Sequence, residues 1–188
     1  MQRIILYLIL TISLTAINQL SIAQTGSKIS LSAGFDLGFL TTIHNESSGF
    51  DADGGLNLKL ELPVFSALHV TVTAGVLSYT TNNFDIFPSD VKKISFTYFP
   101  IKGGLRYYLP KSLKYIYVEG EAGEAFVASG PANSSFIYSG GLGGIIPLGG
   151  RSSFDLSMRY ENGYETNTNS NFPANTIAIR FAYRYQFK

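Results

Sequence analysis

The sequence predicts an all-β protein, an eight-stranded antiparallel up-and-down transmembrane β-barrel preceded by a signal peptide. Three observations predict it. Alternation of apolar and polar residues with period two recurs eight times after residue 24. Short turns alternate with longer polar connections. The polar face of the strands is narrow and rich in Gly, Ser and Thr, while the apolar face is bulky and continuous.

The chain begins with a short positive region, Arg3, followed by almost unbroken apolar sequence from Ile4 to Ile17. Ser21-Ile22-Ala23 then reads as small-x-small, the pattern of a secretory signal peptide cut after Ala23. About fourteen apolar residues are too few for a comfortable membrane-spanning helix. The domains expected are a signal peptide over 1–23 and a barrel over 24–188. Removal of Arg3 leaves Lys and Arg equal to the 13 Asp and Glu, so the mature chain is formally neutral and carries no basic signature of nucleic-acid binding.

In the first strand Ile29, Leu31, Ala33, Phe35, Leu37 and Phe39 alternate with Ser30, Ser32, Gly34, Asp36 and Gly38. The second sets Leu56, Leu58, Leu60 and Leu62 against Asn57, Lys59 and Glu61. The third sets Leu68, Val70, Val72 and Ala74 against His69, Thr71 and Thr73. In the fourth, Ile101, Leu105, Tyr107 and Leu109 oppose Lys102, Gly104, Arg106 and Tyr108; in the fifth, Ile116, Val118 and Ala122 oppose Tyr117, Glu119 and Glu121. The sixth is glycine-rich, with Phe136, Tyr138, Leu142 and Ile146 facing away from Ser139, Gly141 and Gly143. In the seventh, Phe154, Leu156, Met158 and Tyr160 oppose Asp155, Ser157, Arg159 and Glu161. The eighth is the clearest: from Ile177 to Phe187 the odd positions are apolar or aromatic and the even ones are Ala178, Arg180, Ala182, Arg184 and Gln186.

Leu62-Pro63, Leu109-Pro110 and Ile146-Pro147 each close an even-numbered strand, because proline ends a hydrogen-bonding ladder where a tight turn begins. The other connections, near 41–55, 80–93, 128–135 and 163–174, are longer and crowded with Asn, Ser, Thr, Gly and Asp. Three short turns on one side and four long loops on the other put both termini at the short-turn side.

A soluble barrel or sandwich would alternate too, so composition decides. Charged residues are 14% of the 188, against roughly 25% in ordinary soluble domains. The chain also holds 19 Gly, 12 Tyr and 14 Phe, and 45% of it is hydrophobic. Phe39, Tyr79, Phe126, Phe136, Tyr160 and Phe187 fall near strand ends, where amphipathic rings suit a lipid–water boundary. With no Cys, disulfides, thiolate metal sites and a lipidated N-terminal cysteine are excluded.

With this pattern the chain resembles the small outer-membrane β-barrel family of OmpA/OmpX type, which includes proteins called "porin family" or "outer membrane protein beta-barrel domain". The resemblance spans nearly all of the mature chain. It is most specific in Phe99-Pro100-Ile101-Lys102-Gly103-Gly104-Leu105-Arg106-Tyr107-Tyr108-Leu109 and in Tyr183-Arg184-Tyr185-Gln186-Phe187. It implies residence in the outer membrane of a Gram-negative bacterium, contact with outer-membrane lipid, and reading of Tyr183, Tyr185 and Phe187 by the barrel-assembly machinery. Lys188 departs from the pattern, since many members end on Phe itself.

Eight strands enclose a lumen that side chains can fill. Parity places Asp36, Glu61, Glu119, Glu121, Asp155 and Glu161 inside with Lys59, Lys102, Arg106, Arg159, Arg180 and Arg184. A selective pore would show one sign in excess. Lys102 and Arg106 are expected beside Glu119 and Glu121, and Arg180 and Arg184 beside Asp155, as a paired polar plug with interior glycines making room. No cofactor is implied. The histidines are His44 and His69: His69 reads as a lumen hydrogen-bonding residue, and His44 lies in a polar loop whose Asp51 to Gly54 is only a fragment of a calcium loop. The His-x-Ser motif of outer-membrane deacylases is missing, so no enzyme is expected. The sequence favours a structural or surface-interaction scaffold whose loops meet an extracellular ligand or protein, with Phe84, Ile86, Phe87 and Val91 as the apolar contact candidates or as residues packed on the rim. The competing class is a lipid-modifying enzyme or a narrow-pore small-solute transporter.

Overall fold

The computed structural model describes residues 28–40, 52–82, 93–110, 113–129, 134–164 and 175–187. It contains eight strands: β1 (Ser30–Leu40), β2 (Ala52–Pro63), β3 (Leu68–Asn82), β4 (Lys93–Tyr108), β5 (Ile116–Ser129), β6 (Ser135–Gly149), β7 (Ser152–Tyr164) and β8 (Asn175–Gln186). Each pairs antiparallel with its sequence neighbour, and β8 returns to β1 to close the barrel. Closure leaves no edge strand, so every ladder has a partner within the chain.

The closing seam shows how the alternation works. Phe35 lies opposite Phe181 in the β1–β8 ladder, and their rings stack on the outer face with centroids 5.1 Å apart. Phe154 of β7 continues the aromatic row, 6.4 Å from Phe181. One residue along from each of these, the side chain points inward and is charged: Asp36, Asp155 and Arg180 are all buried. The barrel is therefore inverted relative to a soluble protein. Leu56 is 70% exposed, whereas Arg106, Asp155 and Arg180 are 0% exposed. In water such an outer surface would be a vast apolar patch; against hydrocarbon it is the favourable face.

The three short turns lie at one end. Pro63 is the last residue of β2, and Pro110 stands just past β4. Pro147 does not end its strand as the sequence suggested: β6 runs on to Gly149, the register slips between Pro147 and Gly149, and the reversal falls on Gly149 and Gly150 at φ +108° and +60°. Left-handed backbone belongs to glycine, so the turn forms where the glycines are. Pro100 sits inside β4, where the β3–β4 pairing skips from Ala74↔Ile101 to Leu77↔Tyr98. A residue without an N–H cannot donate to the ladder there.

All four long connections are shorter than the sequence indicated, because β2 begins at Ala52, β3 runs to Asn82, β5 to Ser129 and β7 to Tyr164. Asp53 and Gly54 pair with Tyr79 and Ser78 in the β2–β3 ladder and form no loop. His44, Phe84, Ile86, Phe87 and Val91, together with residues 1–23, lie outside the described residues. Outward aromatics mark both rims: Phe39, Phe126, Phe136 and Tyr160 toward the long connections, and Tyr107, Tyr115, Tyr183, Tyr185 and Phe187 toward the short turns.

Candidate functional site

Among the described residues ionisable side chains concentrate in the interior, and strand parity puts them there. All twelve charged residues assigned to the lumen by parity project inward, and eleven of them are buried by residue, with Glu119 intermediate. They stack from the short-turn end upward.

Nearest the short turns, Glu61 of β2 is a hub. Its carboxylate accepts from Arg106 Nη1 at 3.2 Å, from Arg184 Nε and Nη2 at 3.3 and 3.2 Å, from Tyr108 Oη at 2.8 Å and from Ser30 Oγ at 3.3 Å. His69 Nδ1 stands 2.7 Å from Glu61 Oε1, and its ring meets the Tyr108 ring edge-on at 4.9 Å. Arg184 therefore turns to Glu61, not to Asp155 as ladder proximity had suggested.

One layer up, Arg106 spans the lumen. Its Nε donates to Glu119 at 2.7 Å and its Nη1 to Asp155 at 3.0 Å, while the guanidinium carbon lies 3.8 Å over the Tyr117 ring. Asp155 also accepts from Tyr117 Oη at 2.5 Å and from Arg180 Nη1 at 3.3 Å. Lys59 bonds Glu119 and lies 3.0 Å from Glu121. Glu121 accepts from Thr71 at 3.1 Å and Thr73 at 2.7 Å.

Toward the long connections, Arg159 holds Asp36 through both terminal nitrogens, at 3.1 and 2.9 Å. Planar guanidinium and planar carboxylate match in such a fork. Asn57 bridges this pair to the layer below, donating to Asp36 at 2.7 Å and accepting from Arg180 Nε at 2.7 Å. Lys102 donates to Glu161 at 2.5 Å and lies farther, 3.9 Å, from Glu121. Burying charge is costly unless each is paired and hydrogen-bonded; each of these charged groups has at least one such bond, while Arg106 Nη2, Glu121 Oε2 and Arg159 Nε make none.

Above the charges the lumen changes character. Leu77, Tyr98, Ala125 and Ile137 form a buried apolar cluster inside the barrel, with Val127 packed against it. The interior is therefore apolar toward the long connections on its β3–β6 side, while Ser135 and Thr176 are buried polar residues near the same end. Inward parity on β3, β4, β5 and β6 already carried this cap, as it carried Asn57, Tyr108 and Tyr117. The sequence reading weighed charge and passed over those residues as partners.

Inward glycines set how closely the strands' side chains approach. A Cβ on Gly143 would fall 2.4 Å from the Tyr117 ring, and one on Gly141 would fall 2.8 Å from Arg159 Cβ. Tyr183, Tyr185 and Phe187 face outward at the short-turn end, with the Tyr185 and Phe187 rings edge-on at 5.5 Å. Among the described residues no group of His, Cys, Asp and Glu is arranged to hold a metal ion.

No family model and no curated protein matches this chain. Solved structures do match its fold. It is similar to Neisserial surface protein A, NspA, at 15% identity and TM-score 0.57, covering 86% of this chain and 98% of that one. It is also similar to the outer membrane protein OprG from Pseudomonas aeruginosa, at 13% identity and TM-score 0.53, covering 85% and 95%. Ail, the attachment invasion locus protein of Yersinia pestis, matches at 14% identity and TM-score 0.50, covering 85% and 98%. At such identities the likeness is one of fold: this chain has the closed eight-stranded barrel of small outer-membrane proteins.

Proposed function

We propose that this chain is a small outer-membrane barrel that serves as a rigid, non-enzymatic scaffold for its long connections, with a lumen closed by its own side chains. On this reading residues 1–23 are a cleaved signal peptide, Tyr183, Tyr185 and Phe187 are read by the barrel-assembly machinery during insertion, and the long connections meet an extracellular ligand or protein. The observation that carries it is the interior lattice. Six cations and six carboxylates bond across the lumen, with neither sign in excess and with the apolar cluster of Leu77, Tyr98, Ala125 and Ile137 above them. A conduction path needs a continuous polar route and sites that release what they bind. Charges paired with one another leave no free site to take up and release an ion, and the lattice stiffens the wall that carries the loops.

The strand lengths support the scaffold. β3 and β4 run 15 and 16 residues against 11 and 12 for β1 and β2, and their ladder continues to Asn82↔Lys93. The connection from 83 to 92 is thus carried on the longest hairpin of the barrel. Planar-bilayer recordings of the purified protein test the closed lumen: silence is expected, and steady single-channel conductance overturns it. A band shift between heated and unheated outer-membrane fractions on a gel tests the location.

A further inference from the structure

At the short-turn end the barrel opens into a vestibule of about 690 Å³. Its charged lining is all cationic among the described residues: Lys28 before β1, Lys114 between β4 and β5, Arg151 between β6 and β7, and Arg184 at the floor beside His69. The sequence sharpens the asymmetry. The segments 28–29, 63–68, 109–116, 147–152 and 187–188 contain Lys28, Lys111, Lys114, Arg151 and Lys188 and no Asp or Glu. The opposite connections, 41–51, 83–92, 130–133 and 165–174, contain Glu46, Asp51, Asp85, Asp90 and Glu165 against Lys92. A mature chain of zero net charge thus carries its surplus positive charge at one mouth.

The floor does not cancel that surplus. Glu61 is the nearest carboxylate, and it already serves Arg106, Arg184, Tyr108 and Ser30, with His69 at 2.7 Å. A carboxylate has about four lone-pair positions, so Glu61 has none to spare for the vestibule. Lys28, Lys114 and Arg151 form no ion pair among the described residues. Like charges converge there on a half-open recess of mixed polar and apolar lining, and a multiply charged oxyanion seated among them would relieve their mutual repulsion. Depth puts phosphate chemistry within reach of the site. Lys114 lies 5.2 Å over the ring of Tyr115, within the rim of Tyr107, Tyr183 and Tyr185 that marks the lipid boundary, which is the level of phosphate headgroups.

We propose that this vestibule is a phosphate-binding site, with Lys28, Lys114, Arg151 and Arg184 as its cations and with a phospholipid headgroup or a soluble phosphate as its occupant. The site is independent of whether the lumen conducts. The test uses the full mature protein in dodecyl maltoside, a phosphate-free detergent. One arm titrates inorganic phosphate by calorimetry; the other adds phosphatidylglycerol and counts bound lipid by native mass spectrometry.

Saturable binding in either arm, weakened at least tenfold in a Lys28→Gln, Lys114→Gln, Arg151→Gln triple variant, supports the site. The arm that responds names the source. The heated and unheated gel bands of the triple variant should match the parent, because these side chains stand outside the charge lattice. A Lys92→Gln, Lys93→Gln variant at the far end controls for bulk charge. Absence of binding in both arms, an unaltered triple variant, or an equal loss in the far-end control overturns the proposal.

Discussion

Arg106 and Asp155 meet across the lumen, Nη1 to Oδ2 3.0 Å, although β4 and β7 share no ladder. The bond is a chord of the barrel: it ties opposite walls together where the sheet's own hydrogen bonds run only between neighbours. Asp155 is also the acceptor for Tyr117 and Arg180, so one carboxylate neutralises or anchors residues from β4, β5 and β8.

Replacing that carboxylate strips two buried guanidiniums of a partner. Asp155→Asn is expected to destabilise the barrel by about 3–5 kcal/mol, the usual cost of breaking a buried ion pair from one side. Urea unfolding in phospholipid vesicles, followed by the gel shift between folded and unfolded bands, reads the loss. A change within about 0.5 kcal/mol, the scale of an ordinary surface substitution, would mean the chord does not hold the walls.

Tyr117 fills the lumen because Gly143 leaves it the space. Gly143→Ala sets a methyl 2.4 Å from the Tyr117 ring and is expected to cost about 1–3 kcal/mol by overpacking. In a Tyr117→Ala background the same substitution should cost clearly less. Equal costs in both backgrounds, measured as a double-mutant cycle, would separate the two residues.

Glu124 points outward on β5, between Ile101 of β4 and Phe136 of β6. A carboxylate on the lipid face is unfavourable to a degree that depends on depth. Glu124→Leu is expected to stabilise the protein in vesicles by about 1 kcal/mol. If the urea midpoint falls instead, Glu124 has a polar environment in the membrane.

The ladder between β3 and β4 runs on to Asn82↔Lys93, so the barrel does not need what lies between. Replacing 83–92, with Phe84, Ile86 and Phe87, by an Asn-Gly turn should leave the heat-dependent band shift intact, since that dipeptide suits a two-residue hairpin. Surface binding by the protein should drop if this connection makes the contact. Undiminished binding by a folded variant assigns the contact elsewhere.

Much of this was legible because a strand has only two sides. In β8, Ile177 to Gln186 declares its faces without help from any neighbour, and Arg180 and Arg184 could point only inward once the aromatics faced lipid. The same parity held Leu77, Tyr98 and Ile137, which join Ala125 in the apolar cluster, and Glu124, which faces out.

Partners were another matter. Arg106 lies opposite Glu119 in its ladder and bonds it, as adjacency suggests. Asp36 lies opposite Arg180 in the β1–β8 ladder, yet it takes Arg159 from β7 while Arg180 reaches Asn57, Ser32 and Asp155. Long side chains in a narrow lumen reach past the adjacent strand, so the nearest residue in the ladder need not be the nearest charge.

The sequence by itself determined the number of strands, the side each residue faces and the balance of charge within, because period two and turn chemistry are local properties of the chain. Only the closed tertiary structure decided which cation meets which carboxylate. That choice depends on strand tilt and stagger around the barrel, which set the heights at which opposite walls face one another, and no single strand encodes them.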